Sequence, residues 1–168
     1  VYFCGKLHTS WEDVKLVSVH GRKANLISEI RRHPKVFALV GEKDGIQTLC
    51  RKLQEYGMDQ VVLSVGECLS YREERIRRGN PSELADQSFE QLSVVLAENP
   101  EADPVVTHGL EDEAFLRDKV PMTKSEVRSI SLSKLQLTED AVVYDVGAGT
   151  GSVSIEIALQ AAEGEVYA

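Results

Sequence analysis

The segment Val142–Gly151 most constrains the fold, because it places three alternate glycines between a short apolar run and a helical pattern. Gly147, Gly149 and Gly151 allow a tight backbone turn, and they let a ligand approach main-chain amides that a β-carbon would shield. The helix predicted to follow would present unpaired N–H groups and a positive dipole end to the same crevice. A small polar or anionic ligand group is therefore expected there, although such a turn also serves strand-to-helix packing alone.

The spacing of the glycines narrows the choice of ligand. They follow G-x-G-x-G rather than the G-x-G-x-x-G of dinucleotide-binding oxidoreductases, and no Lys-Ser/Thr pair follows as in a phosphate-binding P-loop. Asp145, two residues before the first glycine, would set like charge beside a pyrophosphate and suits a cationic ligand better. S-adenosylmethionine carries a sulfonium and an ammonium, and this D-x-G-x-G-x-G pattern resembles the first motif of the Rossmann-like methyltransferases.

Charge and proline placement divide the 168 residues into two predicted domains. The net charge of −8 lies entirely in the last 69 residues, where 5 Lys and Arg face 13 Asp and Glu, whereas residues 1–99 carry 14 of each. Pro100 and Pro104 lie among acidic residues without apolar periodicity, which is typical of a linker. We therefore expect domains at 1–99 and 113–168, joined by a linker at 100–112.

Composition excludes several classes of protein. Neither predicted domain has the basic stripe that a nucleic acid requires, and the longest apolar runs are far too short to span a membrane. The three cysteines, an odd number without a C-x-x-C pair, argue against a disulfide framework and against a metal site. A reducing, cytoplasmic location is expected, and because the chain opens on Val1 we expect the true N-terminus to be missing.

Strand-like and helical runs alternate along both domains, which predicts an α/β fold. In the first domain the runs are 16–19, 24–32, 36–40, 45–56, 61–65 and 92–96, and Gly57 is a candidate helix C-cap. In the second, Thr123 is a candidate N-cap with Glu126 completing a capping box. That helix, with apolar residues at 127, 130, 132 and 135, precedes a strand at 142–146, a helix at 152–162 and a strand opening at 166.

Longer stretches resemble the fused precorrin-6Y methyltransferases of cobalamin biosynthesis. KVPMTKSEVRSISLSKL (119–135) with VVYDVGAGTGSVSIEIA (142–158) is similar to the opening of the decarboxylating half that acts at carbon 15. The first domain is similar to the C-terminal domain of the carbon-5 tetrapyrrole methylase through VSVHGR (17–22), HPKVFALVG (33–41), GECLSYREERI (66–76) and FEQLSVVLAENP (89–100). The GLEDEAFLRDKVPMTK junction (109–124) strengthens the match.

The resemblance implies a fold, a cofactor and a substrate. The fold is the C-terminal domain of a tetrapyrrole methylase followed by the N-terminal part of a Rossmann-like (class I) methyltransferase domain. The cofactor is S-adenosylmethionine, held against Gly147, Ala148, Gly149, Thr150 and Gly151. Thr123 would be a further contact, as plausible as its capping role, and Asp145 would orient the amino-acid end of the cofactor. The partner is a precorrin, a homo-oligomer is expected, and no catalytic acid or base is assigned because methyl transfer depends mainly on alignment and water exclusion.

Two further expectations concern the charge of the substrate and how much of each methyltransferase domain the chain contains. Arg72, Arg75 and Arg78 fall at i, i+3 and i+6 and could line a helical face toward the carboxylates of a precorrin, or be a solvated face balanced by neighbouring acids.

The ribose-binding acid expected about 20 residues beyond the first glycine is not found at 166–168. The chain is thus expected to hold half of each active unit, to bind S-adenosylmethionine weakly and to be inactive alone. The alternative is a non-catalytic dimerisation or assembly module derived from such an enzyme.

Overall fold

A computed structural model describes residues 1–18, 25–41, 45–103, 107–116 and 119–168. The chain divides into two compact units, Val1–Pro104 and Val105–Ala168. Residues 19–22 of the VSVHGR motif and Pro104 lie outside the described residues. Across the described ranges, no helix combines the length and the apolar character needed to cross a bilayer.

The first unit is built on a five-stranded mixed sheet. Its described elements, in chain order, are α1 (Tyr2–Lys6), β1 (Lys15–Ser18), α2 (Leu26–Arg32), β2 (Lys35–Val40), α3 (Gly45–Glu55), β3 (Val62–Glu67), β4 (Arg75–Gly79), α4 (Pro81–Leu84) and β5 (Ser93–Glu98). The strand order across the sheet is β1-β2-β5-β3-β4. Only β1 and β2 are parallel, and β5 lies antiparallel between β2 and β3, with Ala97 opposite both Val36 and Leu63.

The core of this unit forms from the apolar faces of α2, α3 and α4 together with the central strands. Its fully buried members include Ile30, Ala38, Cys50, Leu53, Val61, Leu63, Val65 and Val95. Because β3 and β5 lie inside the sheet, they are buried along nearly their whole length, and in β3 the buried residues include the polar Ser64 and Glu67. The α/β class expected from the sequence is confirmed.

The predicted helix at 45–56 is confirmed as α3, and it ends as expected. Gly57 takes a left-handed φ of +67°, which a glycine adopts without steric cost. The short elements α1, β4 and α4 were not predicted. The helix α4 has only four residues, and it begins at a capping box in which the Asn80 side chain accepts from the Glu83 amide and the Glu83 carboxylate accepts from the Asn80 amide.

The second unit contains a strand–loop–helix–strand motif. Its elements are a 3₁₀ turn (Asp112–Ala114), α5 (Ser125–Leu135), β6 (Val142–Tyr144), α6 (Ser152–Gln160) and β7 (Glu165–Tyr167). The strands β6 and β7 are parallel, with Val142 opposite Glu165 and Tyr144 opposite Tyr167. The chain therefore leaves β6, turns through the glycines, runs along α6 and returns beside β6.

Two expectations for α5 are wrong. Lys124 rather than Thr123 is the N-cap residue, and no side chain caps the helix, so the capping box is not formed. The buried face holds Arg128 and Leu132, because these residues lie one turn apart. Val127, Ile130 and Leu135 are exposed, so the apolar positions do not mark the buried face of this helix.

Candidate functional site

The glycine loop between β6 and α6 has the geometry that the sequence predicts. Gly147, Gly149 and Gly151 all lie in the left-handed region, with φ of +83°, +61° and +73°. Gly151 is also the N-cap residue of α6, and its amide donates to the carbonyl of Ala148 at 2.9 Å. Since residues with a β-carbon rarely adopt this conformation, the loop depends on glycine at each of the three positions.

The space beside two of these glycines is open among the described residues. A β-carbon at Gly147 or at Gly151 would have no described neighbour within 4 Å. Their requirement for glycine is therefore conformational, and their α-carbons face open volume. The first amides of α6 lack intrahelical acceptors and lie beside this loop, so the motif combines main-chain donors with room for a ligand.

Asp145 is held at the entrance to the loop by both its main chain and its side chain. Its amide donates to the carbonyl of Tyr167 at 2.7 Å, which continues the pairing of β6 with β7 by one residue. Its carboxylate accepts a 2.5 Å hydrogen bond from the hydroxyl of Ser154, in the first turn of α6. The half-buried carboxylate is thereby fixed beside the amino end of the helix.

The segment that precedes α5 lies against the same loop. A β-carbon at Gly149 would lie 3.8 Å from Val120 Cγ1 and 4.0 Å from the Pro121 carbonyl oxygen. Residues about 30 positions apart in the sequence are therefore in contact at the glycine loop. Thr123 is exposed, and its carbonyl accepts a hydrogen bond from Arg128. Its predicted contact with a cofactor remains a prediction, whereas its capping role is excluded.

A buried ionic network, which sequence reasoning missed, joins this segment to α6. Arg128 has no exposed surface, and its guanidinium has four hydrogen-bond acceptors: Glu156 Oε1 (3.4 Å), Asp112 Oδ1 (2.7 Å), Thr123 O (2.5 Å) and Leu110 O (2.5 Å). The Phe115 ring lies 4.6 Å from the guanidinium carbon.

Glu156 is also fully buried, and its Oε1 accepts a second bond from the Leu110 amide at 2.9 Å. The helix pattern did not reveal this network, because it counted only apolar positions as buried. Leu110 and Asp112 were placed in the predicted linker at 100–112, yet both are hydrogen-bonded within the second unit.

In the first unit, the expected helical face of Arg72, Arg75 and Arg78 is not formed. Arg75 and Arg78 lie on β4, where residues three apart point to opposite sides of the strand. Arg75 Nε lies 3.6 Å from the buried carboxylate of Glu67, and Arg78 forms a 2.8 Å ion pair with Glu98. The structure therefore gives these two arginines carboxylate partners within the unit.

The second unit defines a class of protein. A parallel β–α–β motif with a glycine-rich first turn is the arrangement with which a Rossmann-like domain begins. Residues 113–168 match the family described as "Precorrin methyltransferase domain". The resemblance to the precorrin methyltransferases is thereby confirmed for this part of the chain.

Curated relatives agree with this match. The chain is 58% identical over 67 residues to the probable cobalt-precorrin-6B C(15)-methyltransferase (decarboxylating) of Pyrobaculum calidifontis, over 39% of this chain and 34% of that protein. It is 62% identical over 52 residues to the cobalt-precorrin-6B C(15)-methyltransferase (decarboxylating) of Salmonella typhimurium, over 30% of this chain and 27% of that protein. The chain thus spans about a third of the length of the curated relatives it matches.

Two solved structures show a weak likeness to this chain. The precorrin-6Y methylase of Archaeoglobus fulgidus has a TM-score of 0.40 at 16% identity, over 58% of this chain and 43% of that one. The uroporphyrin-III C-methyltransferase of Thermus thermophilus complexed with S-adenosyl homocysteine has a TM-score of 0.42 at 16% identity, over 52% and 40%. Likenesses at this level do not decide the fold of either unit, and the carbon-5 methylase assignment of the first unit stays a prediction.

Proposed function

We propose that the second unit binds S-adenosylmethionine and forms the opening part of a decarboxylating precorrin methyltransferase. The observation that carries this proposal is the loop of three left-handed glycines, with open space beside it, between a parallel strand and the amino end of α6. The match of residues 113–168 to the precorrin methyltransferase domain supports the same function.

The residues at the loop fit such a ligand. Open volume beside Gly147 and Gly151 gives a ligand access to the main chain, because no described side chain lies within 4 Å of a β-carbon placed at either position. The loop 147–151 would lie along the ligand, and the Asp145 carboxylate would attract its ammonium group. Thr123 would contact it from the segment that lies against Gly149. When bound, S-adenosylmethionine supplies an electrophilic methyl group on a sulfonium.

The role of the chain in methyl transfer would be to align the reactants. The loop and Asp145 would fix the donor in one orientation, which accounts for much of the rate gain in reactions of this kind. We assign no catalytic acid or base. The acceptor would be a precorrin, and loss of a carboxyl group from one acetate arm would accompany methylation at carbon 15.

For the whole chain, we propose one half of each of two methyltransferase domains. Residues 1–99 would form the C-terminal domain of a carbon-5 tetrapyrrole methylase, residues 100–112 a junction, and residues 113–168 the cofactor-binding start of the carbon-15 enzyme. The order of the resembling motifs supports this arrangement, which would correspond to a precorrin-6Y C(5,15)-methyltransferase. We also propose a homo-oligomer, which light scattering on the purified chain measures directly.

Titration followed by ¹⁵N–¹H NMR tests the cofactor proposal, because it detects weak binding and reports where it occurs. S-adenosylmethionine is expected to shift the amides of Gly147, Gly149 and Gly151 saturably while Gly57, in the first unit, stays unchanged. The Asp145→Asn variant keeps an acceptor for Ser154 but loses the charge. It should bind S-adenosylmethionine about tenfold more weakly, since hydrogen bonds to charged groups are the stronger ones.

Methylthioadenosine provides the matched ligand control, because it lacks the amino-acid end that Asp145 is proposed to orient. Its affinity should be the same for wild type and Asp145→Asn. Unchanged glycine amides at millimolar S-adenosylmethionine would overturn the cofactor proposal. If light scattering then showed a stable oligomer, the chain would be better described as a non-catalytic assembly module.

A further inference from the structure

The buried guanidinium of Arg128 connects the two sides of the glycine loop. On one side it donates to the carbonyl of Thr123, which ends the segment in contact with Gly149. On the other it pairs with Glu156, one turn along α6 from the first helical residue. One side chain therefore ties the segment before α5 to the helix whose amino end faces the loop.

This connection has the properties of a fixed spacer. The guanidinium is planar and presents its donors in a rigid fork, so its acceptors are held at set directions. Here the acceptors come from three stretches of chain: Leu110 with Asp112, Thr123, and Glu156. Stacking on Phe115 restrains the plane of the guanidinium as well. A shift of either side of the loop would break at least one of these bonds.

Stability alone does not account for the network. Two carboxylates face one guanidinium, and Glu156 Oε2 is buried with no hydrogen-bond partner among the described residues. A buried ion pair of this kind is often no more stable than well-packed apolar residues of similar volume. What the ionic network adds is directional geometry, which an apolar pair lacks.

We propose that Arg128 is a positioning residue of the cofactor site, which sets the distance between the segment 119–123 and the glycine loop through Thr123 and Glu156. This inference rests on the function proposed above. It assigns Arg128 no contact with the cofactor or with reacting atoms. The residue acts by holding the walls of the site at the separation that S-adenosylmethionine requires.

The Arg128→Lys variant is the first test, because lysine keeps the charge but not the fork of donors. We expect the second unit to stay folded and the ligand-free amides of Gly147 and Gly149 to shift. S-adenosylmethionine should bind roughly tenfold more weakly, because binding must then restore the separation of the two sides of the site, at a cost of about 1.4 kcal/mol. The matched control is Arg77→Lys in the first unit, where Arg77 pairs with buried Glu67 and lies 4.5 Å from the Phe89 ring. That variant should leave the affinity unchanged.

A double variant, Arg128→Met with Glu156→Leu, separates positioning from stability. It replaces the ionic pair by apolar side chains, but Asp112 and the carbonyls of Leu110 and Thr123 lose their donor, so the urea midpoint should fall. Affinity is therefore compared in the absence of urea, on protein whose spectrum shows the second unit folded. Affinity should fall as in Arg128→Lys. Wild-type affinity in either folded variant would overturn the inference.

Failure of the proposed function has a different signature. If wild type shows no saturable shift with S-adenosylmethionine, the function is rejected. The ligand-free spectra still decide whether Arg128 fixes the position of the glycine loop. If the amide signals of Gly147 and Gly149 do not shift in either variant, that role is refuted independently of ligand binding.

Discussion

Replacing Gly147 by alanine separates the conformational role of the loop from its role in binding. Gly147 has a φ of +83°, and a β-carbon there would meet no described atom within 4 Å. The cost to folding should therefore be the backbone cost alone, about 1–2 kcal/mol for an L-residue in this region. No packing clash adds to it. Urea unfolding followed on resolved amides of the second unit measures this loss.

Gly57→Ala is the matched control for that strain. Gly57 has a φ of +67°, and its β-carbon would also have no described neighbour within 4 Å. Its position after α3 in the first unit keeps it out of the proposed site. The two substitutions should therefore destabilise their own units by similar amounts, about 1–2 kcal/mol each.

Binding should distinguish the two variants. The new methyl group in Gly147→Ala would occupy the open volume beside the loop and keep a ligand from the main chain. S-adenosylmethionine should therefore bind to the folded variant at least about tenfold more weakly, the equivalent of about 1.4 kcal/mol. Gly57→Ala should bind it as wild type does. Equal affinity in all three proteins would refute the reasoning that the open volume is the ligand site.

Three other predictions concern local structure. Gly164→Ala would place a β-carbon 2.0 Å from the carbonyl oxygen of Ala141, a main-chain atom engaged in strand pairing, so the second unit should lose about 3 kcal/mol in urea unfolding. The pKa of Glu74 lies at about 2, chiefly because the Ser70 amide donates to its carboxylate. The ionised carboxylate therefore stabilises the folded first unit above the ordinary pKa of 4.5, and this stabilisation is lost as the pH falls from there toward 2. Urea midpoints measured across this pH range should show the loss. Burial raises the pKa of the Cys50 thiol to about 11, so mass spectrometry should find this residue unalkylated in the folded protein near neutral pH.

Each of these three predictions has a control within the same chain. The control for Gly164→Ala is Gly5→Ala, which adds a carbon within a helix where no described atom lies within 4 Å. Gly5→Ala should not destabilise the chain. If Gly164→Ala unfolds at the same urea concentration as Gly5→Ala, the predicted clash is disproved. Glu74→Gln should flatten the acid dependence between about pH 5 and 2, and an unchanged profile would contradict the assignment to Glu74. Cys68 is only half-buried and should be alkylated before Cys50.

Local sequence pattern correctly predicted some of the features that residues close together in the chain determine. The end of α3 at Gly57 and the glycine loop with its following helix were predictable, because a left-handed residue or an apolar periodicity is visible within a few positions. Thr123 shows the limit of such reasoning. It has the spacing of a capping box with Glu126, yet the helix starts one residue later and its carbonyl is engaged by Arg128.

The sequence by itself determined the division into an evenly charged and an acidic part, the α/β class, and the glycine motif with its preceding aspartate. Tertiary structure alone decided that β5 lies between β2 and β3, that Arg75 and Arg78 lie on a strand, and that Arg128 is buried. The physical reason is that a charged side chain is buried only where partners from distant segments satisfy it. No window of sequence around Arg128 contains Leu110 and Glu156 as neighbours, and only the folded chain brings them to the same guanidinium.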